Sequence, residues 1–463
     1  MADANATTTL ARPSADRVTT RRPSTRLRNV ELALLLVAVA VAASAILLVQ
    51  LGALGHIDGH IVTLAAGLAA LVLALHVVLR FVARDADPFI LPIATALNGI
   101  GIAEIYRIDL SPTGVRQGWD DGTSQIAWTA LGIGAAIAVL FLVRNHRLLQ
   151  RYTYIAMLVS IVLLVLPLVP GLRLENAAAN VWVSVGPLNF QPGEIAKITL
   201  AVFFAGFLVA RRDSLAMVGR KVLFVRLPRG RDLGPILVVW VLALAVIVFE
   251  HDLGTGLLLF GMFVAMLYVA TGRTSWIALG LILAVAGAYA ATRVLSYVQG
   301  RVTNWLDAFQ GDLYQQPGGS FQIVNGIFGL AHGGLFGTGL GQGRPDITPA
   351  ANSDFIMASL GEELGLVGVF AILSLYLLFV SRGFRIGYSG PDDFGKLLAV
   401  GLAFVIALQC FIVIGGVMRV IPNTGLTTPF LAAGGSSLIA NWMIAGLLLR
   451  ISDTIRSGPR TVI

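Results

Sequence analysis

The sequence predicts an all-α polytopic membrane protein of about twelve transmembrane helices, with a long extracytoplasmic loop that contains a re-entrant segment. Three observations predict it. Hydrophobic residues make up 56% of the 463 and charged residues only 13%, about half the charged share of a soluble domain. The apolar residues gather in runs wide enough to cross hydrocarbon as helices, each helix satisfying its own backbone polar groups. The cations are distributed unevenly between alternate loops, as the positive-inside rule requires. This composition excludes disorder, coiled coil and ordinary soluble enzymes.

Residues 1–29 are polar and carry Arg12, Arg17, Arg21, Arg22, Arg26 and Arg28. They predict a disordered basic cytoplasmic tail. The tail is too long for a signal n-region and the next run is long enough to span, which predicts a retained anchor. Apolar runs follow at about 30–52, 60–82, 88–108, 125–143, 152–170, 192–210, 234–250, 253–271, 274–293, 355–380, 394–417 and 428–450. The run 88–108 is the most polar, with Asn98 and Glu104. His56 and His60, beside Asp58, read as solvated loop residues. The sole cysteine, Cys410, sits in an apolar run, so neither an intrachain disulfide nor a cysteine metal site can form.

With the N-terminus inside, the inner loops hold Arg80 and Arg84; Arg144, Arg147 and Arg151; Arg211, Arg212, Arg220, Lys221, Arg226, Arg229 and Arg231; Arg273; Arg382, Arg385 and Lys396; and Arg450, Arg456 and Arg460. Only Arg107, Arg116, Arg173, Arg293, Arg301, Arg344 and Arg419 fall outside, and Lys197 lies within a span. Both termini are then cytoplasmic. The net charge of +8 follows from topology and calls for no nucleic acid.

The loop 294–353 is therefore extracytoplasmic. Within it, Phe321 to Phe336 is apolar, broken by glycine and too short to span. A re-entrant segment survives at membrane depth only when buried in protein or lining a wet cavity. The alternative is a surface segment lying on lipid headgroups.

Ionisable groups in or beside spans are costly and mark functional sites. Four places qualify. The first is Asn189 to Lys197, where Pro192 suits a first helical turn, and Glu194 and Lys197 share a helix face three residues apart. They predict an intramembrane ion pair, facing a cavity or simply bracing the bundle. Trp182 precedes them as a candidate substrate contact or an interfacial anchor. The second is Glu250 to Gly256, joining two spans. Asp252 there suits a helix cap, and Gly254 and Thr255 suit a tight, closely packed start. The third is Asn352-Ser353-Asp354 at the outer edge, where Ser353 or Asp354 also suits an N-cap. Glu362 and Glu363 lie two turns deeper, where one carboxylate could face the cavity. The fourth is Pro422 to Ser437, with Pro429 expected to start the last span. Gly434, Gly435, Ser436 and Ser437 suit close helix packing.

Taken in order, these places resemble the SEDS family of bacterial cell-wall polymerases, the RodA and FtsW group. The resemblance rests on Trp182; Gln191, Pro192, Glu194 and Lys197; Asp252-Leu-Gly-Thr255; Tyr297, Gln299, Arg301 and Leu306-Asp307; Gly334 to Gly341; Asp354-Phe-Ile356; Glu362-Glu-Leu-Gly365; and Gly434-Gly-Ser-Ser437. It covers roughly 88–451. The chain departs at Gly193, where the motif has Ser; at Glu250-His251, where it has Gln-Pro; and at Gly300, Ser353 and Ala432-Ala433. These departures lie beside the ionisable positions and leave them intact. The resemblance implies a ten-span core over 87–451, with the two spans of 30–86 as additions and 452–463 as a short cytoplasmic tail.

The resemblance also implies a reaction. SEDS proteins polymerise lipid II on the outer face of the cytoplasmic membrane. A sugar hydroxyl of one molecule attacks C1 at the end of the growing glycan, and undecaprenyl pyrophosphate leaves. Pyrophosphate departs without a proton, so charge neutralisation suffices, by a protein cation or by a divalent ion such as Mg²⁺ or Mn²⁺. The hydroxyl needs a carboxylate base. Asp354 matches the family's catalytic aspartate, and Trp182, Glu194, Lys197, Asp252 and Arg301 are the candidate substrate-binding or site-supporting residues. Expected partners are lipid II, the nascent glycan strand, the lipid bilayer and a single-span class B penicillin-binding protein. The short tail after Arg450 points to elongation rather than division. Two rival readings are a lipid II flippase or other transporter, and a non-enzymatic scaffold for a transpeptidase.

Overall fold

The computed structural model describes residues 25–60, 62–118, 120–173, 180–185, 188–216, 221–222, 225–226 and 234–457. The tail 1–24 and the last residues 458–463 lie outside the described residues, as do Arg220, Arg229 and Arg231 of the inner loop.

Each of the twelve apolar runs carries a helix. The helices are α1 (Thr25–Leu54), α2 (Gly67–Val82, opened by a π-helical turn at Val62–Ala66), α3 (Ile90–Asp109), α4 (Pro112–Gln117), α5 (Asp121–Leu142), α6 (Arg147–Arg151), α7 (Thr153–Val165), α8 (Pro192–Ala216) and α9 (Gly234–Glu250). They continue with α10 (Leu253–Thr271), α11 (Thr274–Val294), α12 (Ser296–Leu306), α13 (Gly311–Gln315), α14 (Phe321–Gly333), α15 (Ile356–Ser389), α16 (Asp393–Val417) and α17 (Gly435–Ser457). Two short hairpins, β1 (Val183–Val185) with β2 (Leu188–Phe190) and β3 (Lys221–Val222) with β4 (Val225–Arg226), are the strands among the described residues. Nine of the described helices are long and apolar enough to cross a membrane, and the α7 and α9 regions are shorter apolar helices.

The polar run is explained by burial. α3 is almost wholly enclosed, so its polar side chains find partners on other helices. Asn98 donates to Thr129 of α5 at 3.0 Å, Ser359 of α15 donates to Glu104, and Arg107 pairs with Glu363 at 2.9 Å. Arg107 is thus a core residue, 6% exposed, paired inside the bundle beside the segment that follows α14. Its partner lies far along the chain, and the buried pair offsets the cost of dehydrating each charge.

At one end of the bundle, charged groups tie four elements together. Arg28 and His76 both meet Glu31, at 2.6 and 2.7 Å. Arg382 and Arg456 both pair with Asp87. Arg450 donates to the carbonyl of Val82 at 3.0 Å. The start of α1 and the end of α17 therefore meet at the same basic end.

At the opposite end, the long loop folds into α12, α13 and α14. α14 runs alongside the start of α15 in the same direction: Gly326 faces Phe355, Gly329 faces Ala358, and Gly333 abuts the carbonyl of Gly361. The overlap is about two helical turns, on the order of 10 Å. There α15 breaks at Gly365, whose φ of 67° and ψ of −172° are open to glycine alone. The groups freed by the break pair with the segment after α14. Leu366 N–H donates to Gly334 at 3.0 Å and Val367 N–H to Leu335 at 3.1 Å; Thr338 N–H donates to Glu362 at 2.9 Å and Gly339 N–H to Glu363 at 3.0 Å. The backbone is irregular here, yet its hydrogen bonds are satisfied within the protein, while the side chains of Leu335 and Phe336 stay exposed. α1 braces the same segment, for Gln342 donates to the carbonyl of Gly52 at 2.7 Å.

A methyl group at Gly365 would collide with Leu335, Phe336 and Gly337. Gly365→Ala is therefore expected to lower stability by more than about 1 kcal/mol, read as a fall in melting temperature of the purified protein.

The last helix begins later than its apolar run. Pro429 was expected at its start, but the structure starts α17 at Gly435. Residues 418–434 stay irregular because their polar groups are held from outside. Tyr376 donates to the carbonyl of Pro429, Gln409 donates to that of Thr427 at 2.9 Å, and Ala433 N–H donates to Asn352 at 2.7 Å.

Candidate active site

Asp354 stands two residues ahead of α15. Ala350 at φ +55° turns the chain, and Ser353 and Phe355 N–H both donate to its carbonyl, at 3.0 and 3.1 Å. Phe355 is fully buried among Ala308, Ile323, Val324, Ala358 and Val417, and it anchors the turn. It also occupies the N-cap position, with no side-chain cap bond. The capping alternative for Ser353 and Asp354 is not taken, and the carboxylate is free to face a cavity.

That cavity is about 370 Å³, lined among others by Arg301, Asn304, Phe321, Pro349, Asp354 and Asn423. Asp354 Oδ1 accepts from Ser353 Oγ at 3.1 Å, and Oδ2 accepts from Asn423 Nδ2 at 3.3 Å. Burial pushes the Asp354 carboxyl above the ordinary aspartate value, against the hydrogen bonds from Asn423 and Ser353 and the charge of Arg301. The carboxylate is thereby a stronger base than a capping aspartate would be.

Arg301 is positioned by the start of α12. Tyr297 donates to the carbonyl of Ile247 at 2.5 Å and meets the His251 ring edge-on at 4.9 Å. This pins α12 to the α9–α10 junction. Arg301 follows one turn later on the same helix face, and its Nη1 donates to the carbonyl of Asn423 at 3.0 Å. Its charge acts on both Asp354 and Asp252.

Asp252 is a helix cap, as its position suggests. It accepts from Thr255 N–H at 2.9 Å and Thr255 Oγ1 at 2.6 Å. Burial raises its carboxyl, against those bonds and the charge of Arg301. Gly254 lets Leu426 approach α10 closely, so this cap supports the segment that carries Asn423.

Glu194 and Lys197 form the predicted pair at 2.5 Å, inside the bundle. Lys197 also donates to Gln409 at 3.0 Å and Asn441 at 3.4 Å. From there the network runs to the fourth motif: Asn441 donates to Ser437 at 3.3 Å, and Thr427 donates to Ser437 at 2.9 Å. Gln191 N–H donates to Ser436 at 3.0 Å, just ahead of Pro192 at the start of α8. Gly435 lies against Trp128, while Gly434 lies near Thr427 and Ser437. Neither Glu194 nor Lys197 lines the Asp354 cavity, and both are buried inside the bundle. Lys197→Met would leave Glu194 buried and unpaired, a loss of about 3–5 kcal/mol. Melting temperatures should show the double variant with Glu194→Gln regaining most of it.

Trp182 is half-buried just before β1 and does not line the cavity. Glu362 pairs with His332 at 3.0 Å, and Glu363 binds Arg107 and the N–H groups of Gly341 and Gly343, so neither carboxylate faces Asp354. Asn423, Gln409 and Asn441 were missed. The last two carried a signal, being amides within apolar runs; Asn423 carried only its place beside Pro422.

The arrangement sets a partly buried carboxylate and a guanidinium around one cavity. It can take a proton from a hydroxyl while a cation faces a departing anion.

Residues 88–457 match the family model of FtsW, RodA and SpoVE cell cycle proteins. The peptidoglycan glycosyltransferase RodA of Mycobacterium tuberculosis is 42% identical over 436 residues, 94% of this chain and 92% of its own length. That of Mycobacterium leprae is 41% identical over 446 residues, 96% and 94% of the two. Stage V sporulation protein E of Bacillus subtilis is 33% identical over 371 residues, 79% and 96%. Among solved structures, RodA of Thermus thermophilus matches with a TM-score of 0.55 at 25% identity, over 80% of this chain and 97% of that one. A chain from a peptidoglycan synthase complex shares the fold with a TM-score of 0.59 at 24% identity, over 79% and 97%.

Proposed function

Because this chain belongs to the FtsW, RodA and SpoVE family, we propose that it is a multi-pass membrane peptidoglycan glycosyltransferase of the RodA type, serving cell elongation and shape. The observation that carries the reading is the likeness to mycobacterial RodA over 94% of the chain. The substrate is lipid II, joined to a growing glycan strand at the outer face of the cytoplasmic membrane. The basic end of the bundle then faces the cytoplasm with both termini, and the Asp354 cavity faces outward, with α14 and the segment after it as the re-entrant part.

Asp354 takes the proton of the attacking sugar hydroxyl as the new C–O bond forms at C1. The bond from C1 to the pyrophosphate oxygen breaks, and undecaprenyl pyrophosphate leaves with that electron pair. A single displacement inverts the anomeric centre and needs no covalent enzyme intermediate. Arg301 neutralises charge on the leaving group. The single carboxylate of the cavity, Asp354, is taken up by the proton transfer, so a divalent ion such as Mg²⁺ would be held by the substrate's phosphates and water. Asp252 and the Glu194–Lys197 pair hold the walls, and Trp182 packs on sugar or polyprenyl chain. A class B penicillin-binding protein crosslinks the product strand.

The test is reconstitution of the purified chain in vesicles with fluorescent lipid II, with and without Mg²⁺ or Mn²⁺. Polymer formed without a partner chain is the expected result. Translocation without polymer would replace this reading by a flippase.

A further inference from the structure

We propose that Asn423 is a positioning residue for the polymerisation: its side-chain amide aims the Asp354 carboxylate while its main-chain carbonyl fixes Arg301, so that one residue sets the spacing of base and countercharge. The inference rests on the reading of Asp354 as the base.

Asn423 lies in the irregular segment between α16 and α17. Its Oδ1 accepts from Gly425 N–H at 3.3 Å. A backbone N–H can only donate, so the amide oxygen must face Gly425 and the NH₂ group must face the other way. That group donates to Asp354 Oδ2 at 3.3 Å. The carbonyl of the same residue accepts from Arg301 Nη1 at 3.0 Å. The main chain is held on both sides. Its Cα packs on Gly416 of α16, where even a methyl group would come within 3.2 Å of it, and Gly425 at φ +77° closes the turn.

The chemistry needs this arrangement. With Ser353 on Oδ1 and Asn423 on Oδ2, each carboxylate oxygen keeps a lone pair for the substrate hydroxyl. A donor to the ionised form also favours that form, against the burial that opposes it.

The other charged groups around Asp354 are engaged elsewhere. From α12 it faces Arg301, whose field it shares with Asp252 at the head of α10. Asp121 of α5 is bound by Asn352, and Asp346 is paired with Arg344. Glu362 of α15 meets His332 of α14. Arg419 is bound to the carbonyls of Trp305 and Leu306. Among the described residues, Asn423 is the neutral donor that touches both the base and its cation.

The experiment is the pH dependence of lipid II polymerisation by the purified full chain. Asn423→Asp keeps the acceptor for Gly425 and the carbonyl for Arg301, but sets a second anion against Asp354. Its melting temperature should stay near that of the parent. Its rate near neutral pH should fall roughly tenfold, the scale of a hydrogen bond to a charged group, and the acid limb should move to higher pH. Asn423→Ala should displace the limb in the same direction. Thr424→Val, at a side chain that lines a separate apolar groove, should leave the limb in place. A profile for Asn423→Asp that superimposes on the parent, or is scaled down without displacement, overturns the inference. Asp354→Asn is measured in parallel. If it is inactive while the Asn423→Asp limb stays put, this inference alone falls; if it polymerises at the parent rate, the base assignment falls and takes this inference with it.

Discussion

Asp354→Asn is expected to slow polymerisation by about 10²- to 10⁴-fold, the contribution of a positioned general base, with little change in melting temperature. The amide oxygen can still accept from Asn423 while its NH₂ group donates to Ser353 Oγ, in place of the two bonds that hold the loop, but it cannot take a proton. The sign of the pH dependence follows. The base must be ionised, so the parent's rate is lost as pH falls through the Asp354 pKa. Burial raises that pKa, so the acid limb should lie above the ordinary aspartate value of about 3.9. The variant's residual rate should show no such limb. Initial rates of the purified proteins on lipid II across pH check both statements.

Arg301→Gln is expected to lower the turnover rate by about 10²- to 10³-fold, the usual loss when a preorganised group facing developing charge is removed. The leaving pyrophosphate gathers charge as its bond to C1 breaks, so the loss should fall more on kcat than on KM. Arg301→Lys should recover part of the activity only. It restores a positive charge but not the planar fork that binds the Asn423 carbonyl. Steady-state kinetics of the two variants check the order.

The two effects are linked through local structure. Tyr297 fixes α12 to the α9–α10 junction, and Phe355 fixes the turn before α15. Both charged groups therefore sit on elements anchored by burial, which keeps base and cation at a set spacing without a direct ion pair.

The parts of this architecture that were legible in the sequence are those governed by local rules. Each apolar run is helical because a chain in lipid must satisfy its own backbone. Glu194 and Lys197 met because three residues along a helix is one face. Asp252 capped because a short acidic side chain ahead of an apolar run reaches the first N–H groups. The misread parts depend on partners distant in sequence. The partner of Arg107 could not be named because Glu363 is 256 residues away. The capping alternative for Asp354 failed because Phe355, pulled into a core made by three other segments, took the N-cap place. Pro429 carried a start signal, but cross-chain bonds hold its neighbourhood irregular up to Gly435. Asn423 could not be chosen among the chain's other amides until the fold brought it to Asp354, 69 residues away.

The proposed reaction requires the cavity holding Asp354 to open to the outside of the cell. Gln316 lines that cavity and is exposed, so Gln316→Cys in a Cys410→Ala background reports its sidedness. Intact cells treated with a membrane-impermeant maleimide should label position 316 fully. Labelling that appears only after the membrane is permeabilised would place the carboxylate on the cytoplasmic side and exclude polymerisation at the outer face by Asp354.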